Sequence, residues 1–416
     1  MDNQILYGKI LERELVLALG CTEPIAIAYA SALLKKHLGE MPLKYDVEVS
    51  GNIIKNVKGV IVPNTNGLRG IEVAVIAGSL SSEPESKLEV LNYISREDME
   101  RIPELLKNTP IKIEQRKDKD NLYISVEGAY EQKRVKVTLE HKHTNITLIE
   151  KNGEIVFSSE EAYEELNNAD YEKMSFNGLY DYADQGHIDS VKKHIKMQVN
   201  YNYEIACIGL ENNYGMNIGK TLMNRATTIY EKACAYAAAG SDARMSGSTS
   251  PVVINSGSGN QGMTVAVPVY IYAKEMKCNK ETMYRALILS NLVAIYIKSK
   301  IGTLSAFCGA VSAATGAGAA ITYILTRDKK MVENTIKNAL SNLTGVICDG
   351  AKPSCAYKVE SSLHSAFLAS ELAIAGNVAE AGIIFDDIEK TIDAVGKLGK
   401  EGMKCTDEVI LNIMVD

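Results

Sequence analysis

Cys308, Cys348 and Cys355 are the side chains in this sequence with the clearest potential for chemistry. Cys348 and Cys355 share one short segment, Cys348-Asp-Gly-Ala-Lys-Pro-Ser-Cys355, in which Gly350 and Pro353 favour turns. Cys308 stands 40 residues before Cys348 and opens a run of small and apolar residues that reads as a buried helix to about Leu325. Thr326 to Lys330 make a polar turn, and a second helix, roughly Met331 to Leu343, comes back. At ~1.5 Å per residue the outward leg covers ~25 Å and the return leg ~20 Å, so Cys308 and Cys348 finish at the same end of the hairpin. Three thiolates gathered there suit a metal centre with one coordination position left free. The plainer account is that buried cysteines are small hydrophobes. It suffices for Cys207, Cys234 and Cys278, which lie on or beside helical patterns, and for Cys405, which has no partner close in sequence. A single close pair is not a common zinc signature, although zinc carrying a water fits the same three ligands.

Three further segments carry reactive or ligand-binding residue types. Cys21, in Leu19-Gly-Cys-Thr-Glu-Pro24, stands just before a helix whose positive end would lower a thiol's pKa, and Glu23 would cap that helix. The segment from Ser246 ends in Asn255-Ser256-Gly257-Ser258-Gly259-Asn260-Gln261-Gly262 and runs into an apolar helix from Met263 to about Met276. Backbone amides at a helix start bind carboxylate or phosphate, although glycine–serine loops are also common as plain helix entries. Ser50-Gly-Asn-Ile-Ile-Lys55-Asn56 and Val62-Pro-Asn-Thr-Asn-Gly67 sit at strand ends, where ligand contacts often occur, and Lys55 would hold a carboxylate. The six histidines show no metal spacing, and His141 and His143 are expected to be solvated on one face of a strand.

The elements that must position these residues fall into two groups. Gln4 to Leu19 has the spacing of an amphipathic helix stopped by Gly20, and Pro24 begins a second helix that runs to about Leu38. From Leu43 to about Ser158 the chain is charged and strand-rich, with alternation in Tyr45–Val49, Leu122–Val126 and Arg134–Leu139. Asn152-Gly153 links two further strands as a hairpin, and helices near Gly70–Leu80 and Arg96–Lys107 interleave. From about Glu160 onward the pattern is helical. The expected fold is therefore α+β: a mainly α-helical catalytic domain, 159–416, packed by a helix pair from 1–40, with an inserted α/β domain at 41–158. A chain of 416 residues is long enough for two domains. Its net charge of −7 and pI near 5.6 argue against a nucleic-acid partner. The apolar runs are broken by Gly, Ser and Thr and read as core helices, so no membrane association is expected. Eight cysteines and no recognisable export signal point to reduced thiols in the cytoplasm.

Gly20-Cys-Thr-Glu-Pro24, Ser256-Gly-Ser-Gly-Asn-Gln-Gly262, Cys308-Gly309 and Cys348-Asp-Gly-Ala-Lys352 together resemble the L-cysteine desulfidase family and the related alpha chains of iron–sulfur L-serine dehydratases. The resemblance extends over almost the whole chain. It implies a [4Fe–4S] cluster held by three cysteines, with no need for pyridoxal phosphate. Cys308, Cys348 and Cys355 follow the dehydratase order, with a shorter spacing from Cys348 to Cys355. Cys21 matches a cysteine regarded as a ligand in desulfidases, so it is either the third ligand in place of Cys355 or a reactive thiolate acting as base. The implied reaction is β-elimination, with L-cysteine the leading substrate and L-serine the alternative, giving pyruvate and ammonia. In that scheme Asn255 to Gln261 hold the carboxylate, with Lys55 and Asn56 as further substrate contacts, and Glu23 accepts the ammonium. A homodimer is compatible with this reading. The rival enzyme class is a pyridoxal-phosphate eliminase, which needs a Schiff-base lysine that no motif here supplies. The rival outside enzymes is a zinc-stabilised small-molecule-binding protein.

Overall fold

The first helix, α1 (Asn3–Glu14), ends earlier than its hydrophobic pattern suggests. Leu17–Leu19 instead forms strand β1, paired antiparallel with β8 (Pro251–Val253), and the Ile254 N–H extends the pairing to the Val16 carbonyl. Ala18 and Leu19 are buried as a helix would bury them, but strand pairing satisfies their backbone instead. Gly20 then turns the chain with φ +55°, and a Cβ there would lie 2.3 Å from Pro63 Cγ, so only glycine fits. Helix α2 (Thr22–Leu38) follows with Pro24 in its first turn, where no amide donor is needed, and Gly39 closes it in the left-handed conformation. The computed structural model describes residues 3–119, 121–159 and 170–415.

Residues 44–158 build a six-stranded sheet in the order β3-β2-β4-β5-β6-β7. Its strands are β2 (Lys44–Ser50), β3 (Ile111–Arg116), β4 (Tyr123–Tyr130), β5 (Lys133–Glu140), β6 (Ile146–Lys151) and β7 (Glu154–Ser158). Only the β2–β3 pair is parallel. Asn152 and Gly153, with φ +53° and +86°, make the β6–β7 turn that the dipeptide announces. Helices α3 (Gly51–Val57), α4 (Ile71–Leu80) and α5 (Arg96–Asn108) lie between the strands. The two amino-terminal helices, expected to pack together on the helical region, divide. Tyr7 of α1 donates to the Ser175 carbonyl and stacks near Tyr182, whereas α2 lies on β4, β5 and α4. The α2–α4 approach is close enough that a Cβ on Gly78 would meet the Ala28 carbonyl at 2.1 Å.

The rest is helical: α6 (Phe176–Gln185), α7 (Asp189–Glu211), α8 (Ile218–Met223), α9 (Ile229–Met245), α10 (Gly259–Glu275), α11 (Lys280–Ile301), α12 (Gly309–Thr326), α13 (Lys329–Leu343), α14 (Cys355–Ile374), α15 (Ile388–Lys397) and α16 (Lys404–Val415). The helical pattern expected to resume at about Glu160 lies outside the described residues until 170. Helix α12 is long and apolar enough to cross a membrane, yet it is the buried centre of this bundle, packed by α10, α11, α13 and α14. Its small residues make that possible. A Cβ on Gly316 would meet the Ser290 carbonyl at 2.3 Å, and one on Gly318 the Ala366 carbonyl at 2.6 Å. At the carboxy-terminal end, α16 returns to α3, with Leu411 against Gly51. The architecture is α+β.

Candidate metal and substrate site

The α12–α13 hairpin returns the chain to its starting end, as the helix lengths require. Cys308 caps α12, and a bridge between Phe307 and Ile347 ties the two ends together. In that bridge the Cys308 N–H donates to the Val346 carbonyl at 3.1 Å, and the Cys348 N–H to the Ala306 carbonyl at 2.6 Å. Cys355 starts α14 one turn later and packs on a small cluster of Cys21, Val60 and Met245. Burial pushes the Cys308 thiol up to about 12, and the neighbouring Cys348 and Cys355 add to that effect. Cys355 is raised by burial, with Cys348 adding to it. The structure thus brings the three sulfurs into one electrostatic neighbourhood, with Cys21 at its edge.

Glu23 is the hub next to it. Its carboxylate accepts from the Cys21 thiol at 2.9 Å, from Thr22 Oγ1 at 3.2 Å and from Asn56 Nδ2 at 3.0 Å, and His143 Nε2 lies 3.8 Å away. Burial alone would raise this carboxyl, but His143 and the Cys21 thiol hold it down at about 2. The expectation of a thiolate at Cys21 does not hold for this arrangement. Burial raises its pKa well above the usual thiol value, and the adjacent Glu23 charge pushes the same way, overcoming the helix end. His143 is not solvated either: it is 5% exposed, in the turn after β5, with its ring against Gly257. Tertiary packing of the sheet against the 255–262 loop covers it.

That loop is tighter than a plain entry to a helix. Asn255 and Ser258 pair across a turn in which Ser256 and Gly257 have φ +48° and +78°. Helix α10 begins at Gly259, so the last glycines form its first turn. Thr22 Oγ1 donates to the Gly257 carbonyl at 2.9 Å and joins the loop to the Glu23 hub. The loop's side chains divide by role. Asn255 donates to Asn291 in a buried amide network with Gln198, and Asn260 accepts from Ser241. Gln261 lies against Gly309, beside Cys308, and its Oε1 is buried without a partner. Ser256 and Gly257 face a cleft. Beneath Gly259 sits Arg244, 3% exposed. Its only side-chain hydrogen bond among the described residues is to Met245 Sδ, and its Nε is buried and unpaired. Its charge opposes the upward shifts of Cys21 and Cys355.

Lys55 does not face a ligand. It lies in α3 at 1% exposure and pairs with Asp407 at 2.5 Å. The other Asp407 oxygen accepts the Ala306 N–H at 2.8 Å, on the segment leading to Cys308. Asn56 likewise serves Glu23, and its Oδ1 is buried and unpaired. A cleft of about 1040 Å³ opens in front of these groups, lined by Asn52, His143, Ser256, Gly257, Lys298 and Asp407 on its inner side. Lys298 is 6% exposed and has no hydrogen-bond or ion-pair partner among the described residues. Burial lowers its pKa to about 8 against the opposing pull of the Cys348 and Cys308 thiols.

The donor set fits an iron–sulfur group. It offers three soft sulfur donors, two of which, Cys308 and Cys355, have deprotonation opposed mainly by burial, and a buried guanidinium with no carboxylate partner, Arg244, beside Cys21 and Cys355. Among the described residues no three His, Cys, Asp or Glu side chains close around a single metal ion.

Residues 85–412 match the serine dehydratase alpha chain family. The chain belongs to that family. It is also similar to the UPF0597 protein of Lachnoclostridium phytofermentans, at 46% identity over 98% of both chains. It is 43% identical to the Finegoldia magna protein of that name over 99% of both chains. Against the Desulfitobacterium hafniense UPF0597 protein it is 42% identical, over 99% of this chain and 96% of the relative. Membership in the serine dehydratase alpha chain family makes this a lyase-type protein. Within that family setting, sequence reasoning missed Arg244, Lys298 and Asp407 and misplaced His143. Lys298 and Arg244 stand in helical patterns that look like any others, and a lysine or arginine buried without a carboxylate is visible only once the helices pack.

Proposed function

We propose that this protein is an iron–sulfur-dependent β-eliminating lyase acting on a small β-substituted L-amino acid, L-cysteine foremost, to give pyruvate, ammonia and sulfide. One observation supports the reading: the bridged ends of the α12–α13 hairpin set Cys308 beside Cys348, Cys355 opens the next helix, and Lys298 of the cleft's inner wall lies within charge range of Cys308 and Cys348. These three would hold a [4Fe–4S] cluster, which supplies a Lewis acid toward the leaving sulfur or hydroxyl. The sulfur-rich donor set favours a soft leaving atom, hence cysteine over serine.

The chain's own residues do the rest. His143 faces the cleft with Glu23 behind it, the arrangement of a base and the carboxylate that orients it. In this scheme His143 takes the Cα proton, and Glu23, ionised at any working pH, holds the imidazole in place. Cys21 remains a thiol and orients Glu23 by donating to it. The Ser256–Gly257 turn and the first amides of α10 receive the α-carboxylate, with Arg244 adding positive charge beneath.

Anaerobic reconstitution followed by iron, acid-labile sulfide, sulfide and pyruvate assays with L-cysteine and L-serine tests this. Cys348→Ala loses both iron and turnover, and retention of both overturns the ligand assignment. His143→Gln keeps its iron while kcat falls about 10²–10⁴-fold, and an unchanged kcat removes His143 as base. One observation favours a pyridoxal-phosphate eliminase instead: Lys298 is a buried lysine that lines the cleft. A yellow absorption band removed by borohydride, in protein without iron, would establish that reading.

A further inference from the structure

The cleft in front of the site is far more basic than the chain. Its lining carries nine lysines and arginines against four carboxylates, in a protein of net charge −7. Several of the basic groups are neutralised locally: Arg116 by Glu48 and Asp118, Lys300 by Asp393, and Lys119 opposite Glu140. Asp407, one of the four acids, is committed to Lys55. Four lysines of the lining, Lys117, Lys298, Lys400 and Lys404, have no hydrogen-bond or ion-pair partner among the described residues. Lys117 follows β3 at the edge of the sheet. Lys400 and Lys404 come from the opposite end of the sequence, in the turn before α16 and its first residue. These three are exposed at the rim, and Lys298 is buried at the inner wall.

A zwitterion such as cysteine or serine has no net charge and brings one carboxylate, which the 255–262 turn already accommodates. It has no use for a further buried ammonium and a rim of free lysines. The volume points the same way. At about 1040 Å³ the cleft reaches the top of the roughly 300–1,000 Å³ range that houses ligands much larger than a three-carbon amino acid. Lys298, buried at the inner wall and without an ion-pair partner among the described residues, is placed to meet an anion carried by the ligand.

We propose that, beyond L-cysteine, the substrates include L-amino acids whose β-substituent carries its own negative charge, a phosphate or a sulfonate on the leaving atom, drawn in by the lysine rim and met by Lys298. The proposal rests on the β-elimination reading and specifies its substrate class. The chemistry balances without a further reactant. The Cα proton passes to the base and the Cβ–O or Cβ–S bond breaks, with its electron pair leaving on inorganic phosphate or thiosulfate. The aminoacrylate that remains takes up water to give pyruvate and ammonium.

Calorimetric titration of the protein with O-phospho-L-serine, S-sulfo-L-cysteine, L-serine and inorganic phosphate tests this without requiring a loaded cluster. Both anionic amino acids are expected to bind about tenfold or more tighter than L-serine, and tighter than phosphate alone, with affinity falling as salt is raised. Lys298→Met, and separately the exposed pair Lys117→Glu with Lys404→Glu, weaken the anionic ligands more than L-serine. Equal or tighter binding of L-serine, or affinities indifferent to salt and to both variants, would overturn the proposal. Pyruvate assays on reconstituted enzyme separate the two levels. If L-cysteine turns over and neither anionic substrate binds, the substrate class is wrong and the elimination stands. If the anionic ligands bind tightly yet no amino acid yields pyruvate, the elimination reading fails.

Discussion

Replacing Asp407 by alanine removes a side chain that serves two distant elements at once. Its Oδ1 pairs with Lys55 at 2.5 Å, and its Oδ2 accepts the Ala306 N–H at 2.8 Å. Lys55 is 1% exposed, so the variant leaves an ammonium in the core with no counter-charge. Breaking a buried pair from one side costs about 3–5 kcal/mol, and an unpaired buried N–H about 1–3 kcal/mol. The two losses share one side chain and overlap, so about 4–6 kcal/mol is expected for Asp407→Ala. Asp407→Asn keeps an acceptor for Ala306 and isolates the charge component. Combining Lys55→Met with Asp407→Leu removes both charges and should return stability to within about 1–3 kcal/mol of wild type, the remainder being the orphaned amide. Urea midpoints and slopes measure all three. Because the Ala306 carbonyl accepts the Cys348 N–H, the single variants should also take up less iron on reconstitution. If Asp407→Ala lies within about 1 kcal/mol of wild type, or the double variant is no better than the single, the reasoning from burial is refuted.

Two further outcomes follow from the same physics. Glu23 has its folded-state pKa lowered from 4.5 to about 2, so it contributes stability that is full above the unfolded value and is lost as pH falls through the folded one. That contribution is roughly 3 kcal/mol at neutral pH. Glu23→Gln should flatten the loss of stability between about pH 5 and pH 2 in urea titrations at stepped pH, and parallel curves for variant and wild type would contradict this. Gly262→Ala places a Cβ 2.0 Å from the Val253 carbonyl, and the displaced backbone should lower stability by about 1–3 kcal/mol or more in thermal unfolding. An unchanged Tm would show that the strand–helix contact yields freely.

The local rules carried a good deal of this protein. Rise per residue, applied to a helix from Gly309, a polar turn and a return helix to Leu343, was enough to bring Cys308 and Cys348 to the same end. Asn152-Gly153 gave its hairpin, and the alternating stretches gave strands of the sheet, because those signals act over a few residues. Sequence reading failed where a residue's surroundings come from far along the chain. Leu17–Leu19 has helical spacing but finds a strand partner at 251–253, and its backbone follows the partner. Lys55 looks like a loop lysine free to hold a carboxylate until Asp407, from the last helix, reaches it. Cys21 has the helix end that lowers a thiol's pKa, yet full burial and the Glu23 charge reverse the sign. Which thiols, lysines and histidines the site contains was largely written in residue type and spacing. Which of them are charged, buried or open to the cleft was settled by packing, because solvation and counter-charge belong to the assembled surroundings of a side chain and not to its neighbours in sequence.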